Sequence, residues 1–216
     1  MIKGIFFDLD GTLLNTLDDM TYCINLVRGT INLDPIDNER VRLSVGQGIK
    51  NLILDCIDRR EDYIDTALDL FNQLYATHYD DLTLPYDGVL ELLDYCVLHH
   101  IKLACISNKS QAFIVHLIQH HFKDYPFDFI YGDAPSHKLK PAIDGIYFGL
   151  YTMNLKAEEC LFVGDTEVDH QTAINAKMQS ITVTWGFRTH QELRLLQDTS
   201  FMDYPSELIE LLEALR

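Results

Sequence analysis

Polar side chains of complementary kinds follow four segments that lie far apart in the sequence. Asp8 and Asp10 end an almost uninterrupted apolar run. Such a run, bounded by a glycine turn, is typical of a strand that is buried on both faces of a parallel sheet. Three further groups of polar residues follow along the chain: Ser107 and Asn108, then Lys140, then Asp165 and Asp169. The carboxylates could hold a hard cation, the hydroxyl and amide could hold oxyanions, and the lysine could neutralise negative charge.

This set of groups suits phosphoryl transfer. The transferred group spreads negative charge over its oxygens, so catalysis depends on positioning and on cations. Mg²⁺ prefers oxygen ligands and can bridge carboxylate and phosphate oxygens. One carboxylate can attack phosphorus to form an aspartyl-phosphate, and a second acid nearby can move the protons. Each group alone also has a structural explanation, such as an exposed Asp-rich turn, a helix cap or a solvated loop lysine.

The pattern of apolar residues predicts that these groups meet at one edge of a sheet. From residue 84 onward, apolar strands alternate with amphipathic helices, which is typical of a parallel sheet covered on both faces. Ligands of such sheets bind beyond the carboxyl ends of the strands. The segment after the first strand is helical almost throughout, beginning with a hydroxyl cap at Thr16. We therefore predict an α/β fold with a Rossmann-like parallel sheet core, residues 1–14 and 83–216, and an inserted all-helical cap domain, residues 15–82.

Composition limits the partners and the location of the protein. The 216 residues include 17 basic and 33 acidic side chains, a formal net charge of −16. This charge argues against nucleic acid and anionic membranes as partners. The five cysteines are scattered among apolar residues without a Cys-x-x-Cys pair, which favours free thiols in a reducing compartment. With no signal-peptide pattern and no membrane-spanning apolar run, we expect a cytoplasmic monomer or homodimer.

Four motifs resemble those of the haloacid dehalogenase (HAD) superfamily of phosphatases. In chain order they are Asp8-Leu9-Asp10-Gly11-Thr12-Leu13, Ser107-Asn108-Lys109, Lys140-Pro141 and Gly164-Asp165-Thr166-x-x-Asp169. The helical insert resembles the cap of that family, and segments 41–48 and 185–188 are most similar to its phosphoglycolate-phosphatase-like subgroup. Two positions depart from the family pattern. Asn15 stands where aspartate is common, and Ala142 and Ile143 follow the Lys-Pro motif, which weakens the substrate assignment more than the reaction class.

The resemblance implies a role for each acidic residue of the motifs. Asp8 would be the nucleophile and a Mg²⁺ ligand. Asp10 would be the general acid and base, with its backbone carbonyl on the metal. Asp165 would bind Mg²⁺ directly, with Asp169 in or just behind that coordination shell.

The resemblance also implies the phosphate contacts. Ser107 and the amide of Asn108 would hold phosphoryl oxygens, and Thr12 would contact the substrate from the first motif. Lys140 would neutralise both the nucleophile and the transferring group.

Basic residues of the insert are candidate contacts for the rest of the substrate. Arg42 and Lys50 flank a glycine-containing loop, where cations could hold an anionic group. Arg188 lies beside the predicted sheet edge and could also assist an anion. The histidine pairs at 99–100 and 120–121 each end a helix and have no evident third ligand. We interpret both pairs as surface residues, since adjacent helix positions do not share a face.

These observations predict a Mg²⁺-dependent phosphatase of a small, phosphoglycolate-like metabolite, with a cap that closes over the site. Within the same chemistry, the alternatives are a phosphomutase of the β-phosphoglucomutase type, a pyrophosphatase or a nucleotidase. A phospho-acceptor signalling module and an idle binding domain are the non-enzyme alternatives. The Asp-x-Asp pair at the end of the first strand and the helical insert oppose the signalling module, and the intact acids oppose the idle domain.

Overall fold

The computed structural model describes residues 1–46 and 48–215; Gln47, in the predicted glycine loop, and Arg216 lie outside the described residues. Its strands are β1 (Gly4–Phe7), β2 (Leu14–Asn15), β3 (Leu84–Pro85), β4 (Lys102–Ser110), β5 (Phe127–Asp133), β6 (Cys160–Gly164), β7 (Gln179–Val183) and β8 (Thr199–Met202). Its α-helices are α1 (Leu17–Thr30), α2 (Asn38–Arg42), α3 (Ile49–Cys56), α4 (Ile64–His78), α5 (Val89–Leu98), α6 (Gln111–His121), α7 (Asp144–Met153), α8 (Glu167–Asn175), α9 (His190–Leu193) and α10 (Pro205–Ala214).

Six strands form one parallel sheet in the order β5-β4-β1-β6-β7-β8, which confirms the predicted α/β fold. The chain first adds β4 and β5 on one side of β1, then β6 to β8 on the other. The strand order therefore reverses between β1 and β6. Ligands of α/β folds bind in the crevice that such a reversal opens at the carboxyl ends of the strands.

Alternate residues of the central strands pack against helices on opposite faces of the sheet. Ile5 and Phe7 of β1 lie in one apolar cluster with residues of α5, α6 and α10. Phe6, between them, lies in a second cluster with residues of α7 and α8. Because both faces of β1 are covered, the strand is fully apolar, and the first polar side chain after it is Asp8. Asp8 therefore lies at the carboxyl end of β1, directly beyond the buried part of the strand.

Helices α1 to α4 lie between β2 and β3, and their apolar residues, Ile24, Ile53 and Phe71 among them, form a cluster apart from those of the sheet, joined from the sheet domain by Phe187. At the base of this insert, β2 pairs with β3 in an antiparallel ladder that the sequence pattern did not predict. The separate cluster is consistent with a cap domain over residues 15–82, and that division of the chain stays a prediction.

Two expectations from the sequence concern membrane-spanning helices and the state of the cysteines. Among them, no helix combines the length and apolar character that crossing a lipid bilayer requires. All five cysteines are buried free thiols, as predicted.

Candidate active site

Three buried carboxylates meet at the strand-order reversal. Asp8 follows β1, Asp165 follows β6, and Asp169 lies in the first turn of α8, and one oxygen of each lies within 4.8 Å of the others. Burial raises the pKa of Asp8 to about 7, although Lys140 acts in the opposite direction. Burial, together with the charges of Asp169 and Asp8, holds the pKa of Asp165 well above its usual range. Carboxylates that resist ionisation in this way fit a site for a hard divalent cation such as Mg²⁺.

Lys140 joins two of these carboxylates. Its Nζ lies 2.9 Å from Asp8 Oδ1 and 2.5 Å from Asp169 Oδ1, and its side chain is only 3% exposed. Burial alone would lower the pKa of Lys140, but the charges of Asp169 and Asp8 outweigh it and raise the pKa. The lysine is therefore a permanent cation beside the predicted nucleophile. One lysine neutralises part of the charge of three carboxylates, which leaves the site able to accept a metal ion.

The side chain of Asn108 positions this lysine. Asn108 Oδ1 accepts a hydrogen bond from the backbone N–H of Lys140 at 2.7 Å, and Asn108 Nδ2 donates to the Lys140 carbonyl at 3.0 Å. The same Nδ2 donates to the carbonyl of Gly46 in the helical insert at 2.9 Å. Ser107, the other residue of this motif, is buried and lines the cleft beside Asp8.

Asp165 is held from two directions. Phe187 N–H donates to Asp165 Oδ2 at 2.7 Å, and the Thr12 hydroxyl donates to Asp165 Oδ1 at 3.3 Å. Thr12 is 1% exposed and does not line the cleft; its hydroxyl positions a carboxylate, and its contact with the substrate stays a prediction. Gly11, at φ +82°, must be glycine because a Cβ there would lie 2.2 Å from Asp165 Oδ2.

Asp10 faces the cleft within a second network. Lys109 Nζ donates to Asp10 Oδ1 at 3.0 Å and to the Tyr75 hydroxyl at 2.7 Å, and its side chain is 6% exposed. Thr16 precedes α1 as predicted, but its hydroxyl donates to Asp10 Oδ1 at 2.8 Å and does not accept a hydrogen bond from the helix backbone. Lys109 is a site residue for which the sequence motifs predicted no role. Its position directly after Ser107-Asn108, at the end of a buried strand, was the signal that could have identified it.

Arg42 and Lys50 were predicted to contact the substrate, and that role stays a prediction, although the structure places both residues outside the cleft lining. Arg42 bonds to Glu39, to Glu192 and to the carbonyl of Phe187, and its hydrogen bond lowers the pKa of Glu192 to about 2. Neither Arg42 nor the exposed Lys50 lines the cleft. Arg42 instead joins the helical insert to the sheet domain through partners about 150 positions away.

Arg188 likewise contacts the insert and not an anion site. Its guanidinium donates to the carbonyls of Arg42 at 2.6 Å and of Val45 at 2.9 Å, and it pairs with Glu167 at 3.2 Å. The side chain is 8% exposed. The arginine thus fixes the loop between α2 and α3 over the sheet edge.

The histidine pair 120–121 has a partner that the sequence did not reveal. Both rings contact the carboxylate of Asp80, His120 through Nδ1 and His121 through Nε2. His121 is 10% exposed in its side chain, whereas His120 is 67% exposed. A carboxylate from the segment after α4 therefore supplies the third group that the sequence did not reveal.

Comparisons with known proteins agree with this geometry. A family model described as haloacid dehalogenase-like hydrolase matches residues 5–183. A phosphoglycolate phosphatase of Chromobacterium violaceum is 31% identical over 192 residues, which is 86% of each chain. A phosphoglycolate phosphatase of Vibrio parahaemolyticus is 30% identical over 97% of this chain and 95% of its own. The crystal structure of a predicted phosphoglycolate phosphatase from Haemophilus somnus has the same fold, with a TM-score of 0.88, 24% identity and 98% coverage of both chains.

These matches confirm the predicted superfamily and the predicted enzyme class, a phosphatase of the HAD type. They also set aside the signalling module as an explanation of the acidic site. From its motifs, its strand order and its relatives, the chain belongs to the family of haloacid dehalogenase-like hydrolases.

Proposed function

We propose that this chain is a Mg²⁺-dependent phosphatase that hydrolyses a small phosphorylated metabolite through an aspartyl-phosphate on Asp8. The observation that carries the proposal is the buried cluster of Asp8, Asp165 and Asp169 with Lys140 across it. The three carboxylates would hold Mg²⁺, which would supply positive charge to the phosphoryl oxygens when bound. The names of the curated relatives make 2-phosphoglycolate the first substrate to test.

The side chains account for both half-reactions. Asp8 Oδ attacks phosphorus, the bond from phosphorus to the ester oxygen breaks, and Asp10 gives its proton to the departing alkoxide. In the second half, Asp10 takes a proton from water as that water attacks phosphorus. The bond between phosphorus and Asp8 then breaks, which releases phosphate and restores the carboxylate. Lys140 and Ser107 lie in the cleft where they can stabilise the charge on the phosphoryl oxygens.

Metal dependence tests this proposal. With MgCl₂, phosphate should be released from at least one member of a panel that contains 2-phosphoglycolate, pyrophosphate, sugar phosphates and nucleoside monophosphates. EDTA should abolish the release, excess Mg²⁺ should restore it, and Ca²⁺ should inhibit it because its looser coordination misplaces the nucleophile. Since protons compete for Asp8 and Asp165, whose pKa values are raised, Mg²⁺ should increase Tm more at pH 8 than at pH 5.

Two outcomes would contradict the proposal. Phosphate release that is indifferent to EDTA would exclude the metal-dependent mechanism. Interconversion of sugar phosphate isomers without release of phosphate would identify a phosphomutase instead.

A further inference from the structure

The leaving-group side of the cleft is apolar. The cleft is partly open to solvent, and Asp8, Asp10 and Lys140 are among the residues that line it. Above Asp10 the walls are formed mainly by side chains of the helical insert and of α6: Met20, Ile49, Leu52, Phe71 and Phe113. Leu52 and Phe71 are also buried in the insert's own apolar cluster, so this wall is part of a packed core.

The ammonium groups of the lining already have anionic partners. Lys140 is paired with Asp8 and Asp169, and Lys109 is paired with Asp10. Among the described residues that line the cleft, Lys109 and Lys140 are the cations, and Asp133 adds a further negative charge. A second anionic group on the substrate would therefore lose its hydration without gaining a cation, which is costly.

On the basis of the function proposed above, we propose that the substrate class is a phosphate monoester whose alcohol is uncharged and largely apolar. Such an alcohol would bury its carbon chain or ring against Leu52, Phe71 and Phe113. A carboxylate-bearing alcohol such as glycolate would face the same wall without a counter-ion. The apolar wall thus disfavours 2-phosphoglycolate, the substrate that the names of the relatives suggest.

A matched pair of substrates tests this inference. Propyl phosphate and 2-phosphoglycolate are similar in size, but only the second carries a carboxylate. We expect the KM for propyl phosphate to be at least about tenfold lower than the KM for 2-phosphoglycolate, because burying one unpaired charged group has a cost of that size. A lower KM for 2-phosphoglycolate would overturn the inference. No phosphate release from any phosphate ester would instead contradict the proposed function, so the two failures can be told apart.

A gain-of-charge variant tests the same idea from the protein side. Asn72 is an exposed residue of α4 that lines the cleft, whereas the next residue, Gln73, is exposed and does not line it. Asn72→Arg supplies a cation and should therefore raise the ratio of kcat/KM for 2-phosphoglycolate to kcat/KM for propyl phosphate about tenfold. Gln73→Arg adds the same charge to the same helix and should leave the ratio unchanged. An unchanged ratio in Asn72→Arg would show that a missing cation does not set the preference.

A different part of the molecule carries a second inference. Asp80, His120 and His121 place one carboxylate and two imidazoles so that their ligand atoms lie within 4.8 Å of one another. Asp80 belongs to the segment between α4 and β3, and the histidines end α6, so the group joins the base of the insert to the sheet domain. The exposed side of His120 leaves room for water to complete a coordination shell.

From this geometry we infer that Asp80, His120 and His121 form a second metal site, selective for a zinc-class divalent cation. Imidazole nitrogen together with carboxylate suits Zn²⁺, Ni²⁺ or Cu²⁺, whereas Mg²⁺ prefers oxygen ligands alone. The site therefore differs in chemistry from the all-carboxylate cluster of the active site.

Zinc titration in the presence of saturating Mg²⁺ tests this second site. The unmodified protein should bind one Zn²⁺, and the exposed-site variant His120→Ala should weaken that binding at least about tenfold. His99→Gln with His100→Asn is the matched control, because it alters another adjacent pair and asparagine tolerates the left-handed φ of +56° at residue 100. Equal zinc affinity in His120→Ala and in the control would overturn the inference, as would the absence of zinc binding by the unmodified protein.

Discussion

Replacing Asp8 with asparagine should lower kcat for phosphate release by about 10⁴-fold or more, because the nucleophilic oxygen is lost. The amide is nearly the same size as the carboxylate, and Lys140 keeps its second partner, Asp169. The neutral amide also suits a site in which burial already raises the pKa of Asp8 to about 7. We therefore expect loss of turnover in a protein that stays folded. Steady-state phosphate release, with circular dichroism and Tm in metal-free buffer, measures both effects.

Asp10→Asn is the matched comparison for this variant. It makes the same chemical change two residues away but leaves the nucleophile in place. Loss of the proton-transfer group should slow both half-reactions by about 10²- to 10⁴-fold. A wild-type rate in Asp8→Asn would show that Asp8 is not the nucleophile. A larger loss in Asp10→Asn than in Asp8→Asn would reverse the assigned roles.

Replacing Lys140 with methionine should reduce both stability and activity. Methionine has a similar length, but it leaves the carboxylates of Asp8 and Asp169 buried without their cation. Breaking a buried ion pair by removing one partner costs about 3–5 kcal/mol. The metal-free variant should therefore lose several kcal/mol in the free energy of unfolding, and kcat should fall by about 10²- to 10³-fold. Urea unfolding without metal and phosphate release with Mg²⁺ measure the two losses.

The pH dependence of this variant separates charge from packing. Protonation neutralises Asp8 as the pH falls below its pKa, which burial raises to about 7, so the loss of stability should be smaller at pH 5 than at pH 8. Lys138→Met is the control, because Lys138 is 73% exposed and its ion pair with Asp144, at 3.2 Å, lies at the surface. Its effect on stability should stay below about 0.5 kcal/mol. A pH-independent loss in Lys140→Met would point to packing and not to the buried charges.

Local patterns in the sequence were sufficient for the elements of the sheet domain. The spacing of apolar residues predicts a helix over Gln111–His121, and α6 has the same bounds. The apolar run Cys160–Val163 predicts a strand, and β6 ends one residue later, at Gly164. These predictions succeed because apolar spacing and turn residues depend on neighbours in the chain. The convergence of Asp8, Lys140 and Asp165 also followed from sequence, because parallel strands bring their carboxyl ends to one edge.

Side-chain partners across the fold were decided by tertiary structure. Arg42 carries a positive charge and flanks the glycine-containing loop, yet it pairs with Glu192, far along the chain, and does not line the cleft. The position of Lys109 after a buried strand marks it as a site residue, but nothing nearby in the sequence indicates that it bonds to Asp10, or that His121 bonds to Asp80. Sequence order reveals which residues follow a strand or cap a helix. It does not reveal which charges meet across an interface, because those distances are set only when the insert packs against the sheet domain.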